Sequence, residues 1–381
     1  MSLLGRHATK EVARALCIDG GNGDVEAPPA NAFDFEVRAK DSLQTQDSAV
    51  GRPSVLVQGT LLAAFTLMRS LHPLIIGMSK VDGAYLYDPV SVPLMECVFS
   101  FFFGQALALQ SGGFSQWKQI WTPRPFAIFS MIGFIYAIGD FLELKSLASV
   151  SGPTYMVLSQ SKLILTACML KVVKGTRQTG LQWILLLVLM LALVCDSLMT
   201  DLLKRHEQIK LDPDWTPPPD KSSTIGVACV VSKVFVSCLG AVLTDKFLKE
   251  YKDMPVYMQF AMMKIVWISC LGSMLWMNAA SAPPGAPTGL FHDWNVMTVV
   301  ALGSFTLKNW STTYLLAILD SMLKNIGEAL AVLVTYFIVI FHGSFNDVYE
   351  HEKFITVVLV FLSVSAYLAS KSPRANGQLR R

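Results

Sequence analysis

The sequence of 381 residues contains few charged side chains. Only 15% of its residues are Asp, Glu, Lys or Arg, whereas 52% are hydrophobic, and its mean hydropathy is +0.46. Ordinary soluble domains are far less apolar than this. The composition therefore predicts an all-α protein that crosses a lipid bilayer several times.

The sequence also lacks the usual motifs of metal and disulfide sites. Its 7 Cys and 6 His are scattered, without a CxxC, an HExxH or a cluster at metal-ligand spacing. All but one of the cysteines fall within apolar runs, where a reduced and packed thiol is expected. We therefore predict no disulfide framework, no metal and no cofactor, and nothing indicates a nucleic-acid partner.

Residues 1–53 lack the apolar core behind a basic start that marks a cleavable signal peptide. They are polar, mixed in charge and poor in aromatic residues, so we predict a disordered N-terminal tail. After them come apolar runs long enough to span a bilayer, which takes about 20 helical residues. Ten helices are predicted, at 55–78, 89–110, 126–148, 152–172, 180–199, 224–245, 255–277, 295–315, 318–341 and 354–370.

The longest internal loop, 201–223, divides the helices into two sets of five, within 54–200 and 224–370. With both termini cytosolic, including the tail 371–381, fifteen Lys and Arg of the tails and loops face the cytosol and six face the opposite side, as the positive-inside rule requires. Because five is odd, a second five-helix copy would be inverted, which is the plan of many secondary transporters. Lys162 and Lys324 then lie in equivalent helices, the fourth and the ninth.

Charged residues inside the predicted spans are expensive, at about 2.5–3.5 kcal/mol each, unless they face water, a partner or a substrate. Cations outnumber anions there, which favours a polar cavity for an anionic ligand over charges that pair only with one another. Asp320, Lys324 and Glu328 follow at i, i+4 spacing and could pair locally, but Lys162 has no acidic neighbour on its own helix. The charged residues are Arg69, Lys145, Lys162, Lys233, Lys264, Lys308 and Lys324, with Glu96, Asp140, Glu143, Asp320 and Glu328.

Five stretches carry a resemblance to a known family. They are "TYMVLSQSKLILTA" at 154–167, "GLQW" at 180–183, "VPLMECVFS" at 92–100, "SCLGAVLTDKFLKEY" at 237–251 and "AILDSMLKNIGEALAVL" at 317–333. In order, they are similar to segments of helices 4, 5, 2, 6 and 9 of nucleotide-sugar transporters of the CMP-sialic acid and UDP-galactose type. The resemblance extends over about residues 55–370.

This resemblance implies a carrier, not an enzyme, that exchanges a cytosolic UDP- or CMP-sugar for a lumenal nucleoside monophosphate by alternating access. The expected location is the membrane of the Golgi apparatus or the endoplasmic reticulum. Lys162 and Lys324 are expected to bind phosphate, and Tyr155 is expected to stack on a base or ribose. Gln160 and Glu96 are expected to fix the nucleotide or gate the cavity. The predicted substrate-binding residues are Lys162, Lys324, Tyr155, Gln160, Glu96 and Asp320.

The sequence also departs from the family at several positions, which leaves the sugar and the base open. The paired asparagines usual in helix 3 are replaced by "GDFLELK" at 139–145, and further positions that bear on selectivity differ in helices 6 and 7. The sequence also leaves the oligomeric state open, and a homo-oligomer is one of the possibilities. The differing residues are Asp140, Glu143, Lys145, Leu243, Val256 and Tyr257.

Two other functions stay open at this point. The charge pattern would equally suit another ten-helix carrier of the drug/metabolite type, for example one for sugar phosphates. The "DPD" at 212–214 matches the Asp-x-Asp of a metal-dependent glycosyltransferase, although turn formation in a proline-rich loop explains Asp212 and Asp214 as well. No segment outside the spans is large enough to fold as a catalytic domain, which disfavours the enzyme.

The ten-helix topology can be tested at the sequon "NWS", residues 309–311. The eighth helix places Asn309 within the bilayer, where the glycosyl transferase cannot reach it, so we expect no glycan there. We also expect protease to remove a C-terminal tag from sealed vesicles, because both termini face the cytosol. A glycosidase-sensitive shift that disappears in Asn309→Gln, or a protected tag, would contradict this topology.

Overall fold

The computed structural model describes residues 55–80, 85–211, 223–281, 289–341 and 351–371. Regular structure within these ranges is entirely helical. The predicted tail 1–53, residues 212–222 of the long loop with Asp212 and Asp214, and residues 372–381 lie outside the described residues. The all-α membrane fold predicted from the sequence is confirmed for the described part.

Eleven helices are present in the described residues. The first six are α1 (Val55–Met78), α2 (Ser91–Gln119), α3 (Pro123–Ser149), α4 (Gly152–Ser159), α5 (Lys162–Val173) and α6 (Gly180–Leu211). The other five are α7 (Thr224–Glu250), α8 (Val256–Ser281), α9 (Val296–Ile318), α10 (Ser321–Phe341) and α11 (His351–Lys371). Helices α4 and α5 follow each other within one predicted span.

Nine segments of the described chain are long and apolar enough to cross a membrane, and α4 and α5 together form one of them. Helix α9, which matches the predicted eighth span, is not among the nine. Its sequence includes Lys308, Asn309 and several Ser and Thr residues, which lower its hydropathy. The membrane character of the fold is therefore clear, whereas the count of ten spans stays a prediction.

Two helix boundaries have clear local causes. Helix α2 continues beyond the predicted end at residue 110, but its path is broken at Gly112 and Gly113, where Gly113 has a φ of 61°. Glycine adopts this left-handed conformation without a steric penalty. Between α9 and α10, Leu319 leaves helical geometry and the Asp320 carboxylate accepts a hydrogen bond from the Leu323 amide at 2.8 Å, so Asp320 caps α10.

The helix–helix contacts of the first five predicted spans resemble those of the second five. If each span is exchanged for the span five positions along the chain, most of the observed contacts still occur. Helix α1 packs against α9 and α10, and α7 packs correspondingly against α3 and α5. Helices α2 and α8 pack against each other, as do α6 and α11. This pairing supports the two inverted five-helix repeats, which remain a prediction.

Helices α3 and α8 approach each other closely at Gly133. A Cβ atom there would lie 2.0 Å from the carbonyl oxygen of Met263, which is closer than any real contact. Gly104 on α2 faces a similar approach, with a Cβ position 2.8 Å from the carbonyl oxygen of Tyr257. Small residues at these points let α8 lie directly on α2 and α3.

We predict that Gly133→Ala destabilises the protein by about 1–3 kcal/mol, because the methyl group forces α3 and α8 apart. Gly272→Ala, on α8 with no atom near its Cβ position, is the matched control and should leave stability nearly unchanged. Thermal unfolding of the detergent-solubilised variants measures the difference. Equal midpoints for the two variants would show that the close approach is not a constraint.

Candidate functional site

A cavity of about 1280 Å³ lies between the two sets of helices. At one end its wall includes Tyr85, before α2, and His206 and Lys210, near the end of α6. Burial raises the pKa of the Tyr85 hydroxyl, so that it stays protonated. At the opposite ends of the helices, the lining residues include Thr244, near the end of α7, and Leu316, near the end of α9.

Three cations from three helices surround one carboxylate in the wall of this cavity. Oε1 of Glu328 lies 3.0 Å from Nη2 of Arg69 and 3.2 Å from Nζ of Lys324, and its Oε2 lies 2.5 Å from Nζ of Lys162. The Glu328 side chain is only 6% exposed, and all four side chains line the cavity. We call these four residues the three-cation cluster.

The acidic neighbour that Lys162 lacks on its own helix therefore comes from the second half of the chain. Lys324 reaches the same carboxylate from one helical turn away. The structure thus brings Lys162 and Lys324, which were predicted to meet, to a single point.

The position of Lys162 depends on a tightened turn between α4 and α5. The amides of Gln160, Ser161 and Leu163 each bond to the carbonyl three residues earlier, as in a 3₁₀-helix. Lys162 is the first residue of α5, so its charge enters the cavity where the helix is interrupted. The Gln160 side chain also lines the cavity and has no hydrogen bond to the part of the chain that the structure describes.

Tyr155 belongs to a second charged group beside the cavity. Its hydroxyl donates to Oε1 of Glu143 at 2.8 Å and accepts from Nζ of Lys233 at 2.6 Å. Lys233 also lies 3.2 Å from Oε2 of Glu143, so cation and anion are matched one to one. Glu143 and Lys233 line the cavity.

Glu96 lies in a fully buried ion pair. Nζ of Lys264 donates to Oε2 of Glu96 at 2.8 Å, and the two side chains are 0% and 1% exposed. Ser100 donates to the other carboxylate oxygen at 2.7 Å, and the indole of Trp267 lies beneath the ammonium group at 4.1 Å. Glu96 reaches the cavity wall, but its charge is already neutralised.

Comparison with known proteins identifies the family. The model of the nucleotide-sugar transporter family matches residues 114–368. The chain belongs to this family. It is 21% identical over 359 residues to CMP-sialic acid transporter 2 of Oryza sativa subsp. japonica, covering 91% of this chain and 93% of that protein.

Other comparisons agree with this assignment. The transporter is 22% identical over 317 residues to CMP-sialic acid transporter 1 of Arabidopsis thaliana, covering 80% of this chain and 87% of that one. A protein crystal structure shares the fold, with a TM-score of 0.58 at 11% identity over 84% of this chain and 100% of its own. The family resemblance predicted from the five stretches is confirmed.

A network of charges joins the end of α5, α7 and the start of α10, and its residues are absent from the described cavity wall. The Asp245 carboxylate, whose side chain is 0% exposed, accepts from Lys174 at 3.1 Å, from Lys249 at 2.6 Å and from the Ser321 amide at 3.1 Å. Lys249 also donates to the carbonyl oxygen of Leu319. We call these five residues the gate network, because they tie α5, α7 and α10 together.

Asp320 lies beside the gate network and is absent from the described cavity wall. Its carboxylate accepts a hydrogen bond from Lys371 at the end of α11, in addition to capping α10. The structure therefore separates Asp320 from the other predicted substrate-binding residues of the transporter. The i, i+4 spacing to Lys324 did not bring the two side chains together, because Lys324 faces Glu328 instead.

Two further polar groups of the cavity were not predicted as site residues. Nζ of Lys308 lies 3.2 Å from Nε2 of His72, whose Nδ1 lies 3.0 Å from the Ser304 hydroxyl. Arg69 and His72 are spaced i, i+3 on α1, and this spacing could have revealed a polar face on a largely apolar helix.

Asp140, from the helix 3 segment left unexplained by the sequence, accepts from the indole of Trp267 at 2.7 Å. Trp267 stacks on Tyr136 with the ring centres 5.2 Å apart. All three side chains line the cavity, so they form an aromatic wall with one acidic group. Lys145 of the same segment instead lies against the Phe141 ring and is absent from the described wall.

We predict that Lys264→Met destabilises the transporter by about 3–5 kcal/mol, because it leaves the buried Glu96 without its cation. Adding Glu96→Gln should restore most of the loss, since the unpaired charge is then removed. Thermal unfolding of the single and double variants in the absence of ligand measures this coupling. Additive effects in the double variant would argue against a structural pair.

Proposed function

We propose that this transporter exchanges a cytosolic pyrimidine nucleotide sugar for a lumenal nucleoside monophosphate, in the membrane of the Golgi apparatus or endoplasmic reticulum. One observation carries the proposal. Lys162 and Lys324 come from different halves of the chain and meet at one carboxylate in the wall of a large cavity. The names of the rice and Arabidopsis relatives support a nucleotide sugar as the cargo.

In this proposal Lys162 and Lys324 bind the phosphate. A phosphate oxygen forms charge-assisted hydrogen bonds with lysine, and these are stronger in a cavity of low dielectric constant than in water. The Gln160 amide, two residues before Lys162, lines the cavity without a side-chain partner among the described residues and is placed to bind the nucleotide as well. Tyr155 acts mainly by holding Glu143 and Lys233 at the cavity wall, and Glu96 by neutralising Lys264.

The aromatic wall of Tyr136, on α3, and Trp267, on α8, offers a surface for a nucleobase. Stacking on a flat aromatic surface gains energy for any base, whereas the Asp140 carboxylate can accept hydrogen bonds from a base or sugar. These contacts would determine selectivity, whereas the lysines would supply affinity for the phosphate that all candidate substrates share.

In this proposal the two sides of the membrane gain access to the cavity alternately. The charge distribution between loops supports a lumenal position for Tyr85, His206 and Lys210, and a cytosolic position for the gate network. The described state would then be open toward the lumen and closed toward the cytosol. Passage to the cytosol requires Asp245 to separate from Lys174 or from the Ser321 amide.

We predict that Lys162→Ala and Lys324→Ala each weaken nucleotide binding by about 1.5–3 kcal/mol, the scale of a lost hydrogen bond to a charged group. Both variants should still fold, because Glu328 keeps two of its three cations. The measurement is thermal stabilisation of the purified protein by UMP and CMP, together with nucleotide-sugar uptake into vesicles.

Lys145→Ala is the control, because Lys145 is a predicted in-span lysine that is absent from the described cavity wall. It should leave nucleotide binding unchanged. Normal binding and uptake in Lys162→Ala would refute the role of the lysines as phosphate ligands.

A further inference from the structure

The three-cation cluster has an uncompensated positive charge. Arg69, Lys162 and Lys324 contribute three positive charges, and Glu328 contributes the one negative charge that touches them. Two ion pairs elsewhere in the described cavity region are matched one to one, Glu143 with Lys233 and Glu96 with Lys264. Lys308 and Asp140, which also line the cavity, contact His72 and Trp267 respectively. The cluster therefore has a local excess of two positive charges that its own contacts do not neutralise.

The geometry of Glu328 shows that these cations converge on a small anion. Its two oxygens lie within 3.2 Å of donors from α1, α5 and α10. A carboxylate resembles one edge of a phosphate in the spacing of its oxygens, so the same donors can bind phosphate oxygens with modest rotations. Arg69 is well suited to this, because its planar guanidinium binds a phosphate through two parallel hydrogen bonds.

The compactness of the cluster distinguishes two kinds of nucleotide sugar. A nucleoside diphosphate sugar has two negative charges on adjacent phosphates. A nucleoside monophosphate sugar has one phosphate charge, and any second charge lies on the distant sugar. Two adjacent phosphates would neutralise the local excess, whereas a single phosphodiester would leave one cation without an anion at low dielectric constant.

From this we propose that Arg69 is a third phosphate-binding residue and that the three-cation cluster makes the transporter selective for nucleoside diphosphate sugars. The proposal rests on the proposed function, because it assigns the two phosphates to the same site as Lys162 and Lys324. In the empty protein Glu328 holds the three cations together, and the diphosphate replaces it as their main acceptor.

The experiment compares nucleotides that share a base and differ by one phosphate. The full-length transporter is purified in detergent, and its thermal stabilisation is measured over a range of concentrations of the terminal methyl esters of UDP, UMP, CDP and CMP. In these esters, as in nucleotide sugars, each phosphate carries one negative charge, whereas free UMP or CMP carries about two and would neutralise the cluster by itself. We expect the wild type to bind each diphosphate about 10–100 times more tightly than the matching monophosphate, as one further charged hydrogen-bonding group would give.

In Arg69→Gln the preference for the diphosphate should fall to about threefold or less, because the added contact, worth about 1.5–3 kcal/mol, is removed while monophosphate binding is largely kept. Arg69→Lys should keep an intermediate preference, since it retains the charge without the planar fork. This variant also tests the proposal if Arg69→Gln does not fold. Arg205→Gln is the control, because Arg205 pairs with Asp201 on α6 and is absent from the described cavity wall.

Glu328→Gln tests the competition between carboxylate and ligand. The empty protein should unfold at a lower temperature, since three cations lose their anion, yet UDP should bind about tenfold more tightly, since it no longer displaces a carboxylate. Weaker UDP binding in this variant would overturn the competition between Glu328 and the phosphates.

The failures of the two proposals are distinguishable. If none of the nucleotides stabilises the wild type, the proposed function itself fails. If monophosphates bind but diphosphates bind no more tightly, the transporter still handles nucleotides and only the inference about the cluster is overturned. An unchanged ratio between the affinities for the UDP ester and the UMP ester in both Arg69 variants overturns it as well.

Discussion

The cost of placing a charge in hydrocarbon governs the interior of this protein. Each ionised side chain within the spans needs an opposite charge, water or a ligand, because none of its hydration survives in lipid. Lys264 meets this requirement with Glu96 alone, deep between α2 and α8. The cluster around Glu328 does not, because one carboxylate serves three cations. This difference separates a pair that stabilises the fold from the group that we propose as the phosphate site.

The backbone places these charges by two local means. Close contacts at Gly104 and Gly133 fix α8 against α2 and α3, so that the Glu96 pair and Trp267 have defined positions. Across the cavity, the tightened turn at Gln160 and Ser161 interrupts one span and places Lys162 at the start of a helix. The closely packed wall of α2, α3 and α8 thus faces a wall in which the span is interrupted between α4 and α5. Movement of α5 would affect both Lys162, its first residue, and Lys174, the residue that directly follows it.

Much of the fold could be predicted from the sequence, because a helix that spans the bilayer needs a run of about 20 apolar residues, and such runs are visible in the sequence. The convergence of Lys162 and Lys324 was also predictable, since equivalent helices of two inverted halves meet near the middle. The pairing of Lys162 with Glu328 was not, because the two are 166 residues apart and only the packing of α5 near α10 brings them together. For Asp320, in contrast, the sequence suggested a contact that the structure does not have. Its spacing to Lys324 suggested a shared site, but its position at a helix start made it a cap.

The same charge imbalance would give the proposed exchange mechanism its physical reason. If the empty cavity closed and moved toward the cytosol, the excess charge of the three-cation cluster would be cut off from lumenal water. The described gate network cannot compensate, because Asp245 is already bonded to Lys174, Lys249 and the Ser321 amide. A bound phosphate group removes this cost in either direction of movement, whether it belongs to a nucleotide sugar or to a nucleoside monophosphate. Coupling between the two ligands then requires no second binding site, since each ligand in turn lowers the same electrostatic barrier.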